Sequence, residues 1–382
     1  MPDSTIQVVE RWYGRERLSQ GQDYWIDFLA TESGLAIEDW LARPARLLTR
    51  SADGGQIVRA GLINEAEQLD SDGGLARYRV RLVGWSWWLS QGRHSRVFQE
   101  RGVREIVESV FADYGTQAAW RWSSEVDSFL AQARPRSYCV QYRERDSDFV
   151  ARLLAEEGLG WRIEVDAQAP GGHRLVIFAD SAGQDADPSS AAAGAVRYHR
   201  SDATEASDSV LALGRQQQLG AGQLTLLSHD YRSGRATTSQ LPLAGGEQAA
   251  LRELYEPVGQ YAFASAAEAD RYAGLLAQAD EAQWAGWQGR GAVRSFRAGQ
   301  WFALSQWPGA AEPPELLLTE VEHLGVNNLP LAAREALERA LPAPPPPLAL
   351  PEAVQAIANR VGYRNHFQAV ERRRPWRPVL RH

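Results

Sequence analysis

Residues 138–161 read YCVQYRERDSDFVARLLAEEGLGW. Tyr138, Val140 and Tyr142 recur at every second position, the period of a strand. Asp146 or Ser147 can accept from the free amides of a helix start, and Asp148 suits the dipole there. Phe149, Val150, Leu153 and Leu154 share one helical face, and Gly158 ends the run. The stretch therefore predicts a strand, an acidic turn, a helix over about 147–157 and a second strand from Trp161. Cys139 lies in the first strand on the side opposite Val140. Glu156 and Glu157 fall at the negative end of the helix, where acidic side chains are disfavoured.

Working outward, residues 161–165 and 174–178 supply two more strands. Upstream, Val103, Ile106, Val107, Val110 and Phe111 have helical spacing, with Gly115 as the stop. Residues 93–178 thus form one α/β unit. Residues 1–92 read mostly as strand, with a short amphipathic helix near Gly34–Leu41. Arg77–Val83 alternates, with Tyr78, Val80 and Leu82 on one face and Arg77, Arg79 and Arg81 on the other, as in a half-buried antiparallel strand. Turns at Asp53-Gly54-Gly55 and Asp72-Gly73-Gly74 suggest a small barrel or sandwich.

Residues 181–194, SAGQDADPSSAAAG, have the composition of a mobile loop. Strand signals return at Leu224–Ser228, Gln300–Leu304 and Leu316–His323. A helix is expected near 266–279, opened by Ser265 with Glu268, and a short one at Leu331–Leu341. Residues 342–347, PAPPPP, predict a stiff polyproline spacer. Residues 352–382 read as one helix and a basic tail without a core of its own.

Composition bounds the chemistry. The 382 residues are 44% hydrophobic and 23% charged, with 14 tryptophans, which suits two to four globular domains. The net charge is -7 and every basic side chain apart from histidine is arginine. Without lysine there is no Schiff base and no P-loop cation, and an acidic chain is a poor ligand for nucleic acid. One cysteine excludes an internal disulfide and a multi-cysteine zinc site. The N-terminus lacks the basic and apolar regions of a Sec signal, and no apolar run is long enough to span a membrane.

Several stretches, in collinear order, resemble the VgrG family of type VI secretion spikes and its phage tail-hub relatives. Residues 138–161 resemble its strand, acidic turn and helix ending in Glu-Glu-Gly. SRVFQERGVREIVESVFADYG at 95–115 is similar to its R-x-F-Q helix. Weaker matches follow at 61–69, 173–182, 225–234, 298–304 and 316–323, and YRNHFQAVERRRPWRP at 363–378 resembles the junction into the next module.

The resemblance implies a mainly β, α+β fold with two small antiparallel β-barrels and an α/β insert. Its domains would be a first barrel over 1–92, the insert over 93–178, a second barrel with helical decoration over 179–335, and a proline-rich linker and junction over 336–382. It implies a non-enzymatic homotrimer that adapts the hexameric Hcp tube to a trimeric needle. Its partners would be Hcp, baseplate proteins, the needle with its PAAR tip, and effectors or adaptors, with no cofactor, no nucleic acid and no stable membrane insertion. It would assemble in the cytoplasm and then be secreted by the type VI system. The sequence ends at His382, where the family's oligonucleotide-binding-like and β-helix modules would begin. A phage-tail or other contractile-particle hub, a hub-borne cell-wall or glycan hydrolase, and a carbohydrate-binding module remain as alternatives.

Candidate chemistry was weighed residue by residue, and no catalytic, cofactor or metal site is assigned. Ser228-His229-Asp230 cannot form a triad, because neighbours in a strand face opposite ways. His94, His173 and His199 lack ligand spacing. Asp146 and Asp148 read as helix-start residues, Glu156 and Glu157 as a solvated end, and Cys139 as a buried thiol. Arg372, Arg373 and Arg374 with Trp376 and Arg377 form a short basic run. Trp85 and Trp87 are placed on one strand face, Trp88 follows them, and core packing is their expected use.

Overall fold

The alternation at Arg77–Val83 builds the centre of a large sheet, and the computed structural model describes how the rest assembles on it. It describes residues 7–51, 54–199, 208–230, 234–244, 252–260, 262–309, 312–343, 347, 350, 351, 354 and 362–380. In chain order come β1 (Gln7–Arg17), β2 (Gly21–Ala30), β3 (Pro44–Arg50), β4 (Gln56–Ser71) and β5 (Ala76–Val83). Then follow β6 (Arg93–Phe98), α1 (Val103–Ala112), β7 (Trp120–Trp122), α2 (Val126–Leu130), β8 (Cys139–Arg145), α3 (Asp146–Glu156), β9 (Gly160–Val165) and β10 (His173–Phe178). Next are α4 (Pro188–Ala193), β11 (Val196–Arg197), β12 (Val210–Gln217), β13 (Gln223–Asp230), β14 (Arg235–Pro242) and β15 (Glu253–Gln260). The last are α5 (Ala266–Trp284), β16 (Ala285–Gly291), β17 (Trp301–Ser305), β18 (Glu315–Val326), α6 (Leu331–Ala340) and β19 (Gly362–Glu371).

One continuous sheet runs β12-β16-β19-β18-β1-β2-β5-β4-β3, with β17 attached to β18 and β11 to β17. The fold is mainly β, as expected. Its two halves share this sheet, and no closed barrel is found among the described residues. Each half surrounds its own core. Tyr24, Phe28, Trp40, Tyr78 and Leu82 pack in the first, and Trp287, Phe296, Phe302, Leu316 and Phe367 in the second. The β1–β18 pairing, from Arg11↔Val326 to Arg17↔Glu320, is the seam. Glycines let large rings cross it. A Cβ on Gly14 would collide with the Tyr24 ring, and one on Gly325 with the Trp12 indole.

The α/β unit stands apart as the β6–β8 pair, the β7-β10-β9 sheet and α1 with α3, around Phe111, Phe149, Leu153 and Ile177. A third layer packs β14-β13-β15 on α5 through Leu224, Leu226, Phe263 and Ala273.

Several expectations are corrected. The arginine face of β5 is not solvated. Arg77 and Arg79 are 3% and 8% exposed and pair with Glu10 and Asp27. Trp85–Ser90 is a 3-10 helix, so Trp85 and Trp87 share no strand face. The reading of Cys139 as buried agrees with the structure: on β8 Cys139 and Gln141 face inward, while Tyr138 and Tyr142 point outward.

Residues 181–194 contain α4. Asp187 caps it by accepting from the Ser189 and Ser190 amides, and Pro188 occupies its first turn. Within 352–382, read as one helix and a basic tail, Gly362–Glu371 forms β19, which pairs with both β16 and β18, while the helix expected before it lies mostly outside the described residues. The 342–347 run falls partly outside the described residues. Around it, Leu337 and Leu341 pack on Leu29 and Leu75, and Arg77 donates to the Ala343 carbonyl at 3.1 Å. Among the described residues no helix is long and apolar enough to cross a membrane.

Candidate functional site

Two features of the sheet carry the candidate site: the buried seam that joins its halves, and its open edges. At the seam, Glu16 on β1 is 5% exposed. Tyr24 donates to its Oε1 at 2.6 Å, and Arg59 Nε and His323 Nε2 lie 3.4 and 3.3 Å from the same oxygen. Tyr363 Oη sits 2.6 Å from His323 Nδ1, and Asn365 donates to the Val293 carbonyl at 2.8 Å. Arg59 is fully buried over the Trp12 ring and donates to the Arg294 carbonyl. These groups come from β1, β2, β4, β18 and β19, so the network fastens one half of the sheet to the other.

Burial opposes the Glu16 charge, but His323, Arg297 and Arg59 outweigh it and hold the carboxyl well below its usual range. Burial and then the Arg59 charge push His323 down to about 4, so its ring is neutral near pH 7. One carboxylate among two arginines and a neutral imidazole forms an ion cluster with no open cavity for a substrate. Breaking such a cluster leaves an unpaired buried charge.

At one end of the sheet, β3 has β4 on one side only. Ser51 donates to Gly55 across the hairpin, and the antiparallel register alternates from there. The amides of Arg46, Leu48 and Arg50 therefore point to the open edge, and the Leu48 side chain is 55% exposed. At the other end stands β12. Among the described residues only its start is covered, where the His199 amide donates to the Val210 carbonyl.

The weighed side chains fall apart in space. Ser228 is buried and bonds Gly259 and Ala262 backbone, while His229 is exposed at the strand end. Cys139 is buried, and burial raises its thiol pKa. His173 donates from Nδ1 to the Gly171 carbonyl and accepts the Trp85 amide, both buried. His94 Nδ1 lies 2.9 Å from Asp146 Oδ1. No group of three or more metal-ligating side chains occurs among the described residues.

Asp146 is not a solvated helix cap. It is buried at the first position of α3, bonded by Arg96, Gln141 and Tyr114. Burial resists its charge, but these donors and His94 hold it down to about 2. Glu157 is 2% exposed, bonded by Arg136, Arg271 and Tyr272. Those arginines explain how an acidic pair tolerates the negative helix end. The basic run is built into the fold. Arg372 stacks 3.7 Å from the Trp301 centroid, and Arg377 donates to the Gly158 and Ala179 carbonyls.

Sequence reasoning missed Glu16, Arg59 and Tyr363, and it gave His323 no role. The available signal, for Glu16 and His323, was the alternation in RWYGRER and LTEVEHLGV, which turns polar residues inward. Their meeting depends on contacts hundreds of residues apart in sequence.

A family model described as "Phage tail baseplate hub (GPD)" matches residues 15–329. The spike protein VgrG1b of Pseudomonas aeruginosa is 27% identical over 85% of this chain and 42% of its own length. VgrG1a of the same organism is 26% identical over 85% of this chain and 48% of its own. The chain thus spans under half the length of these relatives.

Among solved structures, the E. coli c3393 protein, described as a component of the type VI secretion system, superposes with a TM-score of 0.65. It is 18% identical and covers 99% of this chain and 78% of its own. A 43 kDa prophage tail protein from Shewanella oneidensis gives 0.55 at 10% identity, covering 96% of this chain and 98% of its own. These two similarities establish the fold alone.

Proposed function

The chain belongs to the phage tail baseplate hub family and is VgrG-like, and from that premise we propose that it is the hub of a type VI secretion spike. Three copies would close into a ring that presents six sheet halves to a hexameric tube on one side and a three-fold needle on the other. Its work is geometric and involves no bond chemistry. Effectors or adaptors would travel on the needle, and the assembly would leave the cell with it.

The carrying observation is the family match over residues 15–329 together with VgrG similarity over 85% of the chain. The structure supports the finer reading in two places. Each half has its own core, and β11 with the His199–Val210 hydrogen bond turns the second half back toward its own first strand, as a small barrel would. The open edges of β3 and β12 are where neighbouring copies would pair, since a closed ring needs head-to-tail interfaces and unpaired edges invite strand addition.

Leu48→Pro tests this. It removes an amide that faces outward, so β3 stays on β4. Light scattering of the parent chain should give about 127 kDa, three copies of the 42.3 kDa chain. The variant should keep its far-UV spectrum, run as a monomer and lose capture of the tube protein. Unchanged assembly of the variant would sink the edge-pairing arrangement.

A second reading, the hub of a phage tail, is favoured by the prophage tail protein that this chain covers almost from end to end. A particle carrying this chain together with a capsid would decide for it.

A further inference from the structure

The β6–β8 pair turns one face into the α/β unit and the other to solvent, and the outward face combines costs that packing does not explain. Arg93 and Arg145 are direct cross-strand partners. Like charges in that position repel and destabilise the pair. Between them, Arg143 has φ +50, the left-handed region that non-glycine residues rarely adopt, and its amide donates to Ser95 Oγ at 3.2 Å. Its place is the irregularity where the register slips between His94 and Arg96. The extra residue aims both Tyr142 and Arg143 outward.

All three arginines are exposed and make no ion pair among the described residues. That sets them apart from the inward arginines of this unit. Arg96 holds Asp146 and Asp113, and Arg152 holds Glu144 and Glu156. The same face carries Val97, Tyr138 and Tyr142, which are 55%, 61% and 72% exposed. A groove of about 940 Å³ continues from it between α3 and α5. Of the two carboxylates lining that groove, Glu144 is taken by Arg152, and Asp148 is exposed at the first turn of α3.

We propose that this face docks an acidic segment of another polypeptide, with Arg93, Arg143 and Arg145 meeting its carboxylates and Tyr138, Tyr142 and Val97 covering its apolar side chains. Arginine forks suit carboxylates, and exposed tyrosines give contact area at low entropic cost. A protein segment fits better than nucleic acid. The cationic cluster is short, half the face is apolar, and a chain of net charge -7 repels a long polyanion. The site lies outside the large sheet, so it stands whether or not the hub closes as a trimer.

The test uses fluorescence anisotropy on the full chain. The probe is a labelled peptide of alternating glutamate and valine, beside its glutamine counterpart and an oligothymidylate of equal charge. The glutamate peptide should bind and weaken as salt rises. R93E should weaken it at least about tenfold, the effect of losing a desolvated charge contact. R93E also replaces a repelling pair by an attracting one, so its melting temperature should hold or rise, and R93K should retain both binding and stability. Opposite signs for binding and stability are what a merely structural role cannot give.

Equal binding of the glutamine peptide, binding unaffected by R93E, or tighter binding of the oligothymidylate would overturn the proposal. So would a concentration-dependent self-association of the parent chain that R93E abolishes, which would assign the face to a second copy.

Discussion

Glu16 and His323 meet where both halves of the sheet contribute to a single buried cluster, and their chemistry makes the seam sensitive to acid. In the unfolded chain His323 takes a proton near pH 6.5, whereas in the fold burial and Arg59 delay this to about 4. Between those values the unfolded state binds more protons, so stability is full above pH 6.5 and falls as pH drops toward 4. The loss amounts to about 3 kcal/mol. Glu16, held low, adds a loss at still lower pH. Urea unfolding at pH 7, 5.5 and 4 should show this slope, and H323Q should flatten it, leaving the smaller contribution of His173, also lowered by burial. An unchanged slope in H323Q would place the acid sensitivity elsewhere. Asp146 makes a comparable case inside the α/β unit. D146N keeps the shape but leaves Arg96 without its buried counter-charge. Urea titration should show a loss of about 3 kcal/mol.

At the scale of elements, the ladder between β18 and β19 runs from Glu320↔Gln368 without a break to Val326↔Gly362 at its tip. The chain between those two residues is therefore an excursion from a hairpin that could close without it. Its described residues cover the outer face of the sheet. Leu337 and Leu341 sit on Leu29, while Val354 packs against Tyr13 and Leu324. Replacing 327–361 by an Asn-Gly turn should leave amide protection at Val321 and Phe367 in place. The uncovered leucines and tyrosine should cost about 5 kcal/mol and bind a hydrophobic dye. Lost protection in β18 or β19 would instead make the excursion part of the hairpin's own stability. This element also shows what the sequence made legible. α1, α3, β5, β9 and β10 carry their periods locally and were read correctly as to type. β19 carries one too, since Tyr363, Asn365, Phe367 and Ala369 alternate, but the arginines after it and the prolines before it masked a central strand as a tail. α4 was hidden by its alanines and serines, although Asp187-Pro188 is a helix-start signal. The charged faces were the hardest. Arg79, Asp146 and Glu157 look solvated by residue type, and only their partners from distant strands and helices make burial tolerable.

For the whole molecule, the question is what holds three separate packing units in one arrangement, since the proposed hub would have to be stiff. The large sheet, the α/β unit and the α5 layer each have a core, and the segment after β19 runs across all three. Arg372 stacks on Trp301 of β17 and donates to Ala182 at 2.9 Å. The Trp376 amide donates to Ser181, and its ring packs near Phe178 of β10. Arg377 donates to the carbonyls of Gly158 and Ala179 on the α/β unit and to Gln278 of α5, over the face of Phe129. One guanidinium thus bridges two units through groups that would otherwise lose water without a partner. Hydrogen bonds to a charged donor contribute about 1.5–3 kcal/mol each, so R377A should cost roughly 3 kcal/mol once water replaces some of them. The loss should be local. Hydrogen exchange should quicken across 372–380 and along α5, while β1 and β18 keep their protection, because the seam does not depend on Arg377. Exchange that quickens equally in β18 would mean that the units unfold as one body, and that the segment is part of a common core and not a clamp between separate ones. The local outcome would also bear on the hub reading. It would make the course of residues 372–377 a property of Arg372, Trp376 and Arg377, set against the α/β unit.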